Sequence, residues 1–163
     1  MNTQDLTRLL HYRAWARDRV LANLEGMPAA DFTKPVVSSF RSIRDTLVHV
    51  LSADVIWAAR LSGVSPGEHL RPEDFPDVAS LRARWEQVDQ ELRSLVEGLS
   101  PNHMVTFRTT VGVEQSQSVA VIIQQVTVHP TYHFGQIATL LRQLGGTPVG
   151  IDFIYYDRDG DGR

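Results

Sequence analysis

An all-α chain is predicted: a four-helix bundle with long crossover connections and a short β-hairpin before the last helix. Three observations predict it. Apolar residues recur with a helical period in four long stretches, prolines and glycines fall between those stretches, and one β-prone run precedes the last of them. At 163 residues the chain is long enough for one sizeable core, so a single domain over residues 1–163 is expected.

The first helix is expected from about Gln4 to Glu25, with Thr3 as its N-cap and Gly26 and Pro28 as its stop. Leu6, Leu9, Leu10, Tyr12, Trp15, Val20, Leu21 and Leu24 supply its apolar side. Met27 to Phe40 is a connector marked by Pro28 and Pro35. The second helix starts near Ser42, where Ser42-Ile43-Arg44-Asp45 has the form of a capping box and Asp45 suits the positive end of the helix dipole. Ile43, Leu47, Val48, Val50, Leu51, Val55, Ile56, Trp57 and Leu61 make it apolar around much of its circumference, which predicts deep burial as far as Gly63.

Val64 to Asp77 is a long polar loop with Pro66, Gly67, Pro72 and Pro76. The third helix spans about Val78 to Gly98, where Leu81, Trp85, Val88, Leu92, Leu95 and Leu99 alternate in steps of four and three as a bundle seam, and Pro101 ends it. Met104 to Val119 is hairpin-like: Met104 to Val111 is β-prone and Gly112 marks a turn. The fourth helix starts near Ser118 and ends at Gly145-Gly146. The tail from Thr147 to Arg163 is expected to be mostly non-helical, with Ile151 to Tyr156 docking on the bundle or on a neighbouring subunit.

Composition removes several function classes. A net charge of −3 gives no electrostatic footprint for nucleic acid, and arginines spread through the helices read as solvated faces. There are no cysteines, which excludes disulfides, a cysteine zinc site and a cysteine nucleophile, and fits a cytoplasmic protein. The N-terminal residues Met1 to Asp5 lack the basic and apolar regions of a signal peptide. No membrane span is expected, because even the stretch from Val119 to Leu141 is interrupted by Gln124, Gln125, two histidines and Gln136.

The histidines carry the chemistry. His129 and His133 lie four residues apart in an apolar helical stretch, so they share a face and can grip one metal ion. His49 lies on another buried helix. Three imidazoles from two packed helices leave an ion such as zinc an open fourth position, the arrangement of a catalytic site. Against this, a histidine on an apolar helix is usually a hydrogen-bonded core residue. Pro130, between the pair, lacks the N–H that would bond the Val126 carbonyl, at a cost of roughly 3 kcal/mol in a regular helix. Either the resulting kink re-aims His129 toward the site, or a new helix starts at Pro130 and leaves His129 outside it. His11 is a reserve ligand, while His69 and His103 are expected in or near loops and exposed.

Zinc is the first expectation for such a site and nickel the second, with copper and iron also compatible with imidazole. The open position can lower the pKa of a bound water to about 7 or hold a substrate thiolate deprotonated. Asp45, one turn before His49, either orients that ring or serves as a helix-start carboxylate, and the second is preferred. Tyr132 and Gln136 flank the pair and can bond substrate or water, with core packing an equal expectation for Tyr132. Asp157-Arg158-Asp159-Gly160-Asp161-Gly162 looks like the start of an EF-hand calcium loop, but the twelve residues and final glutamate that the loop needs are not there, so an acidic tail is expected instead.

Ser42 to His49, the run His129-Pro130-Thr131-Tyr132-His133-Phe134-Gly135-Gln136, and Gly146-Thr147-Pro148 followed by Asp152 to Tyr156 together resemble the DinB-like (DinB/YfiT) superfamily of small four-helix bundle proteins. The resemblance covers nearly the whole chain. It implies a three-histidine metal site at His49, His129 and His133 and a homodimer. It further implies activity on a small-molecule substrate, either as a thiol S-transferase or isomerase using a low-molecular-weight thiol or as a metal-dependent hydrolase, or a non-enzymatic dimeric metal- or ligand-binding bundle. Two positions depart from the pattern: Val128 stands where the family commonly has asparagine, and Phe134 where it has arginine. The loss of a basic side chain there bears on transferase activity more than on fold or metal.

Overall fold

The computed structural model of the chain describes residues 1–159. It is mostly helical, with one small antiparallel sheet. The elements run α1 (Thr3–Leu24), α2 (Ala29–Phe32), α3 (Ile43–Leu61), α4 (Val78–Gly98), β1 (Met104–Arg108), β2 (Glu114–Ser118), α5 (Val119–Gln143) and α6 (Phe153–Asp159), with a 3-10 turn at Pro72–Asp74. The four long helices are those the sequence predicts. Helix α1 packs on α5 and α4, and α3 packs on the same two, so the apolar stripes close around one core.

Local chemistry sets the ends. Asn2, not Thr3, caps α1. Its Oδ1 accepts the Asp5 N–H at 2.9 Å while Asp5 Oδ2 accepts the Asn2 N–H at 2.8 Å. The reciprocal pair needs an acceptor three residues before an acid, which Asn2 supplies and Thr3 does not. Ser42 caps α3 as expected, its Oγ accepting the Asp45 N–H at 3.0 Å. Helix α5 ends where Gly145 takes a positive φ of 83° and the Gly146 N–H reaches back to the Leu141 carbonyl at 2.9 Å.

Three expectations are corrected and one open alternative is decided. The Met27–Phe40 connector contains the single turn α2, formed because Phe32 inserts into the core. The tail is not mostly non-helical where it is described. Helix α6 covers Phe153–Asp159 and buries Tyr156 against Tyr12 and Ala16, so burial on α1 favours a turn that pattern alone does not announce. Of the two readings left open at Pro130, the one that starts a new helix there is ruled out, since α5 is continuous from Val119 to Gln143. Pro130 is buried, and packing along the whole of α5 outweighs one lost hydrogen bond. Three arginines are buried rather than solvated: Arg13, Arg17 and Arg60.

Two of these form an ion network inside the helices. Arg13, 3% exposed, bonds Asp89 Oδ1 and Asp54 Oδ2, each at 2.5 Å, and Arg17 bonds Asp89 Oδ2. Trp85 Nε1 donates to the same Asp54 oxygen at 2.8 Å. The network ties α1, α3 and α4 together at one level. Arg60 serves the hairpin. Its guanidinium lies over Trp57 and Phe107, with 4.5 and 4.6 Å to the ring centroids, fixing β1 on α3. The hairpin pairs Met104 with Ser118 through to Arg108 with Glu114 and buries only Val105 and Phe107. No helix among the described residues is long and apolar enough to cross a membrane. Of the EF-hand-like run, Gly160 onward lies outside the described residues, and Asp157 pairs with Arg8.

Candidate metal centre

The continuity of α5 gives His129 and His133 their common face, and the packing of α3 on α5 brings His49 to them. The three rings point their Nε2 atoms at one another. His129 Nε2 lies 3.2 Å from His49 Nε2 and 3.1 Å from His133 Nε2. One ligand atom from each of the three lies within 4.8 Å of those of the others, so the set can hold one metal ion. Two imidazole nitrogens bound at about 2.0–2.1 Å to one tetrahedral ion stand about 3.3 Å apart. The observed spacing fits that geometry closely.

The electrostatics favour a cation. A single proton on His129 Nε2 can bond one neighbour but leaves the other ring with its lone pair facing a nitrogen. Burial pushes His49 and His129 down to about 4, and the nearby His133 adds to the effect. Both rings are therefore neutral near pH 7, the form that ligates metal. His129 Nδ1 is buried with no hydrogen-bond partner among the described residues.

His133 is oriented by its own helix. Gln136 Oε1, an acceptor only, takes the His133 Nδ1–H at 2.8 Å, which places the proton on Nδ1 and frees Nε2. Gln136 Nε2 in turn donates to Ser39 Oγ at 3.4 Å, linking the centre to the loop before α3. From that loop Phe40 stacks on His49, centroids 4.3 Å apart and planes at 27°, and meets His133 edge-on at 5.6 Å. A cavity of about 450 Å³ adjoins His49 and is lined by Phe40, Arg41, Asp45, Ser52 and His69 among others.

The remaining predicted residues fall out as follows. His11 is exposed on α1 and outside the cluster, because it sits on the solvent face between Leu10 and Tyr12. Asp45 is a helix-start residue whose carboxylate meets Arg44 Nε at 3.2 Å, and it lines the cavity. Tyr132 is 68% exposed, so it is not core, although its ring stands edge-on to His133 at 5.1 Å. Val128 is exposed, while Phe134 is buried and lines a smaller apolar cavity of about 230 Å³ between α1, α5 and the tail. His103 is exposed as expected. His69 is exposed too, but it is part of the cavity wall. Phe40 and His69 carried no sequence signal, since each reaches the site from a loop.

The model of the DinB family matches residues 1–160. Protein DinB of Bacillus subtilis (strain 168) is 25% identical over 157 residues, covering 91% of this chain and 91% of that protein.

Proposed function

This chain belongs to the DinB family, and from that premise we propose a metal-dependent enzyme with the architecture of a four-helix bundle. His49, His129 and His133 hold a divalent transition metal, zinc first and nickel second. The observation that carries the reading is the convergence of three Nε2 atoms at 3.1 and 3.2 Å from a common member. The reaction is thiol-dependent S-transfer ahead of hydrolysis, on a small molecule in a cytoplasmic setting.

When bound, the metal supplies Lewis acidity, which stabilises a thiolate or polarises water. The chain does the rest. Gln136 keeps the His133 proton on Nδ1, Phe40 covers the His49 ring, and the cavity beside His49 admits the small molecule. Zinc- or nickel-loaded protein is to be assayed with a low-molecular-weight thiol and an electrophilic acceptor. Metal-dependent turnover, lost in His133→Ala with helicity retained, supports the enzyme. Equal turnover in the metal-free protein refutes it.

A second reading is a homodimeric, non-enzymatic metal- or ligand-binding bundle. It is favoured by Val121, Val128 and Tyr132, which expose an apolar stripe along α5, with Phe153 and Ile154 of α6 exposed as well. Sedimentation at a mass of two chains, with metal raising the melting temperature and no thiol or ester turned over, is its signature.

A further inference from the structure

The cavity beside His49 contains a donor pair with no role in holding the three rings. Arg41 stands at its rim. The backbone closes the loop there, the Val36 N–H donating to the Arg41 carbonyl at 2.8 Å, yet the guanidinium has no ion-pair or hydrogen-bond partner among the described residues. The one acid in the wall, Asp45, is already offset by Arg44. Arg41 is therefore a cation in the cavity wall with no ion-pair partner among the described residues.

His69 lies in the same wall, and α3 holds it by its inner edge. Ser52 is 1% exposed, and its Oγ does two things. It accepts the Leu70 N–H at 3.0 Å and lies 3.1 Å from His69 Nδ1. With an oxygen lone pair taken by the backbone, the Ser52 hydroxyl proton is free for Nδ1. When that proton is donated to Nδ1, the neutral ring carries its own proton on Nε2. A second serine, Ser65, accepts the Arg108 N–H at 3.0 Å and anchors the start of the same loop. The loop is exposed but tied at both ends, and it places His69 in the wall of the space that His49 borders.

We propose that Arg41 and His69 bind a carboxylate on the small molecule that engages the three-histidine centre. Guanidinium and imidazole N–H groups are donors matched to that acceptor. The inference rests on the metal-centred thiol reading above, and it narrows the substrate to a class bearing an anionic group a few bonds from the metal-binding atom.

The test uses the full chain loaded with cobalt(II) and two thiols, 3-mercaptopropionate and the uncharged 2-mercaptoethanol. Each binds as the thiolate, its proton passing to buffer, and is followed by the sulfur-to-cobalt absorption band. Comparing each variant with the wild type, ligand by ligand, removes the difference in intrinsic thiol acidity. In Arg41→Gln and in His69→Ala, 3-mercaptopropionate should bind about tenfold more weakly, while 2-mercaptoethanol is unchanged and cobalt content stays the same. Arg41→Lys should recover part of the loss. Equal affinities in wild type and variants, or equal losses for both thiols, overturn the carboxylate site and leave the thiol reading standing. If neither thiol coordinates in the wild type, the thiol reading falls. Malonate then decides the site: it must shift the His69 ring resonances of the wild type and not those of Arg41→Gln, and no shift overturns the proposal.

Discussion

His133 donates its Nδ1 proton to Gln136 Oε1 at 2.8 Å, one helical turn along α5, and this bond decides which nitrogen of the ring faces His49 and His129. Partners of this kind around metal-ligating histidines typically contribute 10- to 100-fold in metal affinity. Gln136→Ala should therefore weaken zinc binding by about 10-fold or more while leaving the circular dichroism spectrum unchanged. Competition with a chelator of known affinity measures it.

Metal-free protein should lose stability on mild acidification. Unfolded, His49 and His129 take a proton near 6.5; folded, burial first and the His133 ring second hold them to about 4. Between those values the unfolded chain binds more protons, so stability is full above about 6.5 and declines as the pH falls toward 4. Melting temperatures of the metal-free chain across that interval should fall with pH, and less steeply in His129→Gln.

Removing Asp54 should be costly in a different way. Arg13 would keep Asp89 but lose one of its two buried acids, and Trp85 would lose its acceptor. Breaking a buried ion pair from one side costs roughly 3–5 kcal/mol. Urea unfolding of Asp54→Ala should show a loss of that order. Metal content should be retained, because the network lies between α1, α3 and α4 while the histidines lie between α3 and α5.

Metal should act as a stabilising ligand. An ion bound to the folded chain at 100 times its dissociation constant adds about 2.7 kcal/mol. Zinc should raise the melting temperature of the wild type, and the same addition should leave His133→Ala unmoved.

The four long helices were legible because each carries a helical apolar period and ends at glycine or proline. The pair His129 and His133 was legible for the same reason, a fixed spacing of four on one helix. His49 required two helices to pack in register; its placement on a buried segment and the resemblance carried by Ser42 to His49 pointed to it. What escaped notice came from tertiary proximity. Arg13 meets Asp54 and Asp89 across 41 and 76 positions, so their charges looked like solvated faces. Phe40 and His69 sit on loops, where no period marks the side that faces the core. Pro130 left two readings open in the sequence, and burial along α5 decides for the continuous helix.

Metal content of the purified untagged chain, measured by inductively coupled plasma mass spectrometry beside His49→Ala, tests the central claim most directly. The three-histidine centre predicts about one transition-metal ion per chain, lost in the variant. A wild type that holds no metal even after reconstitution with zinc and nickel would contradict it.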